Sequence, residues 1–339
     1  MLEYINIKGT NLLASRIGLG TWAIGGWMWG GTDERESICT IHAALDHGIN
    51  LIDTAPIYGQ GRSEEIVGEA LRQTGRRESI LLATKVGIDW TKGRIERNST
   101  RLRIFQELED SLRRLQTDYI DLYQVHWPDP LIPLEEVACT LRELYEQGKI
   151  RAIGVSNYSP EEMARFEAIA PIHTLQPPYN LFEREIERDV LPYALGHRIT
   201  TLTYGALCRG LLSGAMNTGR RFAKDDMRKT SDPKFQELYF SEYVDAANTL
   251  DAYAREHFGK RVIHLAVRWL LDQPGVGVAL WGARRPEQLE AIKEVGGWSL
   301  TKADFAAIDA ILRDTIHHPV GPEFMSPPAR EIAEPVTVG

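Results

Sequence analysis

An eight-stranded α/β barrel, (β/α)8, is the fold this sequence predicts, and three observations predict it. Short apolar runs alternate with helix-period segments eight times along the 339 residues. No linker-like composition break or low-complexity tract divides them. The third is a mismatch with the other common α/β plan. A doubly wound dinucleotide fold needs a Gly-rich turn that opens a helix after its first strand, and Gly18-Leu19-Gly20-Thr21-Trp22 has two glycines and no helix opening.

The elements justify this in order. Apolar runs at 4–7 and 12–15 flank Lys8-Gly9-Thr10-Asn11 and read as an N-terminal hairpin within residues 1–15. The first barrel strand is 16–20. A helix over 35–47 follows, with Ile38, Ile41 and Leu45 at helical spacing and Gly48 ending it. The second unit is strand 49–53 and helix 63–72, with Ser63 as its cap; the third is 79–85 and 101–115; the fourth is 119–126 and 133–147, closed by Gly148. Then come 152–156 with 160–169, and 174–176 with 185–195. Strand 199–204 leads into a long polar segment, 209–241, and helices 242–257 and 262–271. The eighth strand, 276–281, precedes a helix over 286–295 with proline in its first turn. A last helix, 302–312, runs into a Pro-rich tail, 314–339, which either caps the site or contacts a neighbour. The whole chain, 1–339, is expected to be one barrel domain.

Bulk composition bounds the function. Apolar content of 43% with 25% charged residues is that of a soluble globular chain, and no apolar run reaches the length of a membrane span. The start of the chain has no apolar signal region. A formal charge of −8 argues against a nucleic-acid partner. Cys39, Cys139 and Cys208 are far apart and form no C-x-x-C pair, which reads as buried, reduced thiols in a cytoplasmic protein. No Cys/His spacing suits a metal.

In a barrel the carboxyl ends of the strands share one mouth. The stretch Leu51-Ile52-Asp53-Thr54-Ala55-Pro56-Ile57-Tyr58-Gly59 brings a carboxylate to a strand end and a phenol onto the loop beyond it. Lys85 ends an otherwise apolar strand, where a lysine either reaches water or is held by a counter-ion, and Asp53 is the obvious partner. An ammonium beside Tyr58 is expected to lower the phenol's pKa and make it a tuned proton donor. His126 follows the fourth strand and is placed to orient a substrate oxygen. A tuned acid with neither a metal cluster nor a nucleophile–base pair suggests carbonyl reduction or alcohol oxidation, with hydride from a cofactor. Ser156, Asn157 and Gln176 suit a carboxamide, although Asn157 is equally a helix cap. Tyr204 suits stacking on a flat ring. The segments Arg209-Gly210-Leu211-Leu212-Ser213-Gly214 and Gly282-Ala283-Arg284-Arg285 end strands seven and eight, where phosphates bind in such barrels. There Arg284 or Arg285 suits an adenosine 2′-phosphate. Trp22, Trp27, Trp29, Ile57, Trp90 and Trp127 are expected to line an aromatic-rich substrate pocket; loop packing is the other reading for Trp27 and Trp29.

Together these motifs resemble the aldo-keto reductase family over nearly the whole chain. The matching stretches also include Gly154-Val155-Ser156-Asn157 and Gln176-Pro177-Pro178-Tyr179-Asn180. The segment around Asp225-Asp226-Met227-Arg228 is similar to the bacterial branch that includes inositol- and stress-related reductases. The resemblance implies a catalytic set at Asp53, Tyr58, Lys85 and His126 and a nicotinamide cofactor, NADP(H) favoured and NAD(H) possible. That cofactor would lie across the mouth against Gly20, Thr21, Trp22, Gly205, Ala206, Leu207 and Gln288 as well as the residues above. Gly282-Ala283, Gln288 and Ala291-Ile292 depart from the Lys-Ser, basic and Glu-Asn pattern of many members, which bears on NADP preference. The expected activity is reduction of small carbonyls or sugars. The alternatives are an NAD(P)-dependent sugar or cyclitol dehydrogenase and a slow-turnover NADP(H)-binding regulatory protein.

Overall fold

The computed structural model of the chain describes residues 2–91 and 93–330. Eight parallel strands close into a barrel: Ile17–Gly20, Leu51–Asp53, Leu81–Val86, Leu122–Val125, Ile153–Ser156, Thr174–Gln176, Thr200–Thr203 and Val276–Gly282. They follow one another around it in chain order.

Strand parity decides which residues face the axis. Leu51, Leu81, Ala83, Leu122, Leu202, Val278 and Leu280 join one buried cluster inside the barrel. Their immediate neighbours Ile52, Leu82, Tyr123, Ala279 and Trp281 join the larger cluster under the helices. Two residues further along the same strands, the inward positions are Asp53, Lys85, Gln124 and Tyr204. The hairpin Tyr4–Asn6/Leu13–Ser15 closes the opposite end, contributing Ile7, Leu12 and Ala14 to the interior cluster. The charged inward groups thereby stand at the mouth, while Thr174 and Thr200 are polar inward positions below it.

Several elements differ from their sequence expectation. Ser63 lies inside helix Arg62–Thr74; Gly61 occupies the cap, and the Ser63 hydroxyl instead bonds Thr21. The expected helix over 185–195 is a 3-10 turn, Glu185–Glu187, followed by Val190–Gly196. Pro286–Glu294 is 3-10 rather than α. Helix Glu237–Phe258 starts five residues early because Phe240 and Tyr243 turn inward while Leu238 stays exposed, which blurs the apolar period. A two-stranded hairpin, Ile88–Asp89 with Glu96–Arg97, was not expected. Cys39 and Cys139 are exposed thiols on outward helix faces, and only Cys208 is buried as expected. Among the described residues no helix is long and apolar enough to cross a membrane.

Candidate active site

Three inward side chains meet at the mouth. Lys85 is fully buried, and its ammonium donates to Asp53 Oδ2 at 2.7 Å, to the Thr54 carbonyl at 2.9 Å and to Tyr58 Oη at 3.3 Å. An ammonium has three protons and here three acceptors. Asp53 registers with Ala83, so Lys85 stands two residues above it and its stem reaches back. The other carboxylate oxygen accepts Gln176 Nε2 at 2.8 Å and Gln124 Nε2 at 3.3 Å. The counter-ion alternative for Lys85 is the one adopted.

Tyr58 is placed by backbone rather than by its ring. Gly59 has φ +64, and a Cβ there would lie 2.2 Å from the Gly25 carbonyl oxygen; a Cβ on Gly25 would lie 2.6 Å from the Tyr58 carbonyl carbon. Only two glycines allow this approach. The phenol then lies 6.0 Å from Trp22, nearly parallel, and 5.8 Å from His126, edge-on, centroid to centroid.

The protonation states follow from burial. Burial pushes the Tyr58 phenol well above its ordinary pKa, and the Asp53 charge pushes it the same way. No lowering by Lys85 accompanies these two effects, contrary to expectation. Burial also lowers Lys85, with Asp53 pulling it back up. His126 falls well below the usual histidine range through burial and then the Lys85 charge, so its imidazole is neutral.

Two cavities open from this point. One, of about 430 Å³, runs along the ends of strands seven and eight. From the expected cofactor set, Gly20, Thr21, Trp22, Asp53, Tyr204, Gly205, Ala206, Leu207, Arg209, Gly210, Ser213, Gly282, Ala283, Arg284 and Gln288 line it. Ser156, Asn157 and Gln176 instead line the second cavity, of about 380 Å³; the two share Trp22, Tyr58, Tyr204 and Met325. Leu211 turns into the core, fully buried. Arg285 pairs with Glu36 at 3.4 Å and lines neither cavity.

Some expected contacts have other occupations. Arg209 is buried with Glu183 and Asp232 in a network that also holds Lys234, so its guanidinium anchors the loop. The Gln288 side chain accepts the backbone N–H groups of Arg284 and Arg285 and caps the following turn. Arg284 donates to the carbonyls of Trp29 and Gly31. Tyr204 donates to Asn157 Oδ1 at 2.9 Å, while Asn157 bonds the His126 carbonyl; Ser159, not Asn157, caps the next helix.

Of the expected pocket residues, Trp22, Trp27, Ile57 and Trp127 line the second cavity. Trp29 lines the first, edge-on to Trp22 at 5.3 Å. Trp90 lines neither and packs beside Ile57 and Ile88, with the Arg103 guanidinium over its ring. The tail covers the pocket: Phe324, Met325, Ser326, Pro327 and Pro328 form one wall. Arg97 latches it through the Pro327 carbonyl and Ser326 Oγ, and Arg330 bonds Asp129. The capping alternative for the tail is realised by Phe324–Pro328; residues 331–339 of the tail lie outside the described residues. Sequence reasoning passed over Gln124, Arg97, Met28, Ile95 and Met227. For Gln124 the signal was present, since it stands between Leu122 and His126 on the inward parity of its strand.

A parallel barrel with a buried Asp–Lys pair against a half-buried tyrosine at its mouth is the site of an α/β-barrel oxidoreductase. The sequence pattern of the Aldo/keto reductase family matches residues 16–313, and the chain belongs to that family. It is 62% identical to the aldo-keto reductase YhdN of Bacillus subtilis over 97% of this chain and 99% of that one. It is 34% identical to the NADH-specific methylglyoxal reductase of Escherichia coli, over 89% of this chain and 96% of the relative. The solved glycerol dehydrogenase of Gluconobacter oxydans superposes with a TM-score of 0.85 at 52% identity, covering 95% of this chain and 99% of the other.

The family uses nicotinamide cofactors, and the first cavity fits one. Its inner end has the aromatic rings of Trp22 and Tyr204; toward its other side it gathers Arg220, Arg228 and Arg284. Arg284 is disfavoured by burial and then by the nearby Arg228 charge, so an anion there relieves both. A Cβ at Gly282 would meet open space, leaving room against the strand end.

Proposed function

We propose that the protein reduces aldehydes or ketones with NADP(H), Tyr58 donating the proton. Gly20, Thr21, Tyr204, Gly205–Leu207, Ser213 and Gly282–Ala283 would hold the cofactor, with Arg284, Arg228 and Arg220 toward its phosphates. The bound reduced nicotinamide supplies a hydride to the carbonyl carbon. The observation that carries the reading is the three-way bonding of Lys85. Because Lys85 donates to Tyr58 Oη, the phenol's own proton is free to turn toward the cavity. Held neutral by burial, the phenol keeps that proton until a substrate oxygen accepts it. Lys85 at 3.3 Å then stabilises the phenolate that forms, and Asp53 keeps Lys85 charged. Neutral His126, whose ring faces the cavity beside Tyr58, orients the oxygen by a hydrogen bond.

Tyr58→Phe removes the proton and leaves the ring. Turnover with NADPH and a reactive aldehyde is expected to fall by roughly 10²–10⁴-fold, with unchanged cofactor affinity by fluorescence quenching. Wild-type turnover would sink the assignment. Titration with NADPH and NADH tests the cofactor preference, which rests on the arginines. The structural similarity to a glycerol dehydrogenase supports a second reading, oxidation of a hydroxyl by the same groups in reverse. Steady-state rates in both directions separate the two.

A further inference from the structure

We propose that Gln124 is a positioning residue for the proton transfer, holding Asp53 from the barrel interior so that its other oxygen stays on Lys85. This rests on the reading of Tyr58 as proton donor and adds a residue to it. Gln124 is fully buried in the fourth strand and pairs in register with Lys85 on one side and Gly154 on the other. Its Nε2 donates to Asp53 Oδ1 at 3.3 Å, the oxygen that Lys85 does not use. Gly154 makes room for this. A Cβ there would lie 2.7 Å from Gln124 Cγ and 2.4 Å from Thr174 Oγ1, so a side chain on the fifth strand would push Gln124 off its path.

The amide does not serve the fold. Among the described residues its Oε1 has no hydrogen-bond partner, although it is buried. Turning the amide over cannot help, since that would set Oε1 against the carboxylate. A buried acceptor left unpaired destabilises, whereas an apolar side chain of similar length would not. Leu122, two residues earlier on the same face, belongs to the apolar interior cluster and shows what packing alone selects. A polar group kept against packing points to the charge it touches.

Gln176 makes the shorter bond to the same oxygen, 2.8 Å, but it borders the second cavity, where its amide is open to a ligand. Gln124 borders neither cavity. It is therefore the donor to Asp53 that a bound molecule does not compete for. Its N–H draws carboxylate charge toward Oδ1. Without it, more of that charge falls on Oδ2, which pulls Lys85 toward Asp53 and off Tyr58 Oη. The Asp53 charge already raises both Lys85 and Tyr58, so weaker screening of it makes the phenol a poorer acid. Loss of Gln124 should slow proton donation and raise, not lower, the pH at which turnover fails.

The test is Gln124→Met, with Gln124→Leu as a second packing variant. Both are compared with wild type in urea unfolding, in NADPH affinity by fluorescence quenching, and in the single-turnover rate of NADPH oxidation by a reactive aldehyde across pH. An unfolding midpoint at or above wild type and unchanged cofactor affinity are expected. The rate should fall by roughly threefold to tenfold, the scale of one hydrogen bond to a charged group shared with a second donor. The basic limb should move up by about half a pH unit, the equivalent of threefold in proton affinity. A wild-type rate overturns the role of Gln124 and leaves Tyr58 as donor intact. A slower rate without the upward move, or a lower midpoint in both variants, assigns Gln124 to packing and overturns it equally. Wild-type turnover in Tyr58→Phe would remove the donor itself, and the positioning role with it.

Discussion

Asp53→Asn is the most informative single change, because it keeps shape and removes one charge. In the wild type Asp53 and Lys85 lie 2.7 Å apart, both buried. At that separation and an effective dielectric constant of about 20, the attraction is roughly 6 kcal/mol. Desolvation already offsets part of it, and the Thr54 carbonyl stays with Lys85. The net loss on breaking such a pair is about 3–5 kcal/mol, and we expect the lower part of that range at pH 7. The pH dependence has a definite sign. Without Asp53, the folded-state pKa of Lys85 drops further below its ordinary value of 10.5. Between those two values the unfolded chain binds more protons, so the variant's stability rises with pH across that window. The deficit relative to wild type should therefore be larger at pH 7 than at pH 9. Urea unfolding of wild type, Asp53→Asn, Lys85→Met and the double variant at both pH values measures this. The double variant should be more stable than the sum of the singles implies. A loss under about 1 kcal/mol, the scale of an exposed pair, or a deficit that does not shrink with pH, would refute a buried ammonium held by Asp53.

Gly59→Ala puts a methyl against the Gly25 carbonyl at a positive φ, so it should cost roughly 2 kcal/mol or more and lower kcat; a destabilised variant with wild-type kcat would show that this contact does not place Tyr58. Arg97→Ala removes the bonds to Pro327, Ser326 and Pro128, and should raise KM for aryl aldehydes and speed proteolysis of the tail around 323–330; an unchanged digestion rate would contradict the latch. Glu183 is raised by burial, but Arg209 and Lys234 outweigh this and hold its carboxyl at about 2. Its contribution is present above the ordinary 4.5 and is lost as pH falls toward 2, so Glu183→Gln should flatten the acid limb of the stability–pH curve between those values.

The barrel was legible because eight short apolar runs keep their parity. Leu51 and Asp53, Leu81, Ala83 and Lys85, or Leu122 and Gln124, sit on one face simply by being two apart. That parity points the polar residues toward the mouth. Elements whose signal is shared with tertiary packing were not legible. Helix Glu237–Phe258 begins in a segment that reads as polar loop because its first turn is exposed. The tail from Phe324 to Pro328 has no period, and its place over the pocket depends on Arg97, more than two hundred residues earlier. Arg209 and Arg284 illustrate the same limit. A guanidinium in a Gly-rich loop reads as a phosphate ligand, but only the fold reveals Glu183 and Asp232 around the one and two backbone carbonyls on the other.

The misjudged sign of the Tyr58 shift follows from the same cause and bears on mechanism. Sequence places an ammonium beside a phenol; it does not show that the ammonium is already compensated at 2.7 Å, with two amides steadying the carboxylate behind it. Burial and then the Asp53 charge both favour the protonated phenol, so the proton stays on Tyr58. The Lys85–Tyr58 hydrogen bond becomes strong only once the oxygen carries charge, as a phenolate accepting from an ammonium in a dry site. On the proposed mechanism, Lys85 would lower the barrier through the phenolate that proton transfer forms, not by acidifying the resting phenol. The pH at which turnover fails on the basic side should therefore report the Asp53–Lys85–Tyr58 set as a unit. Asp53→Asn should move it together with kcat.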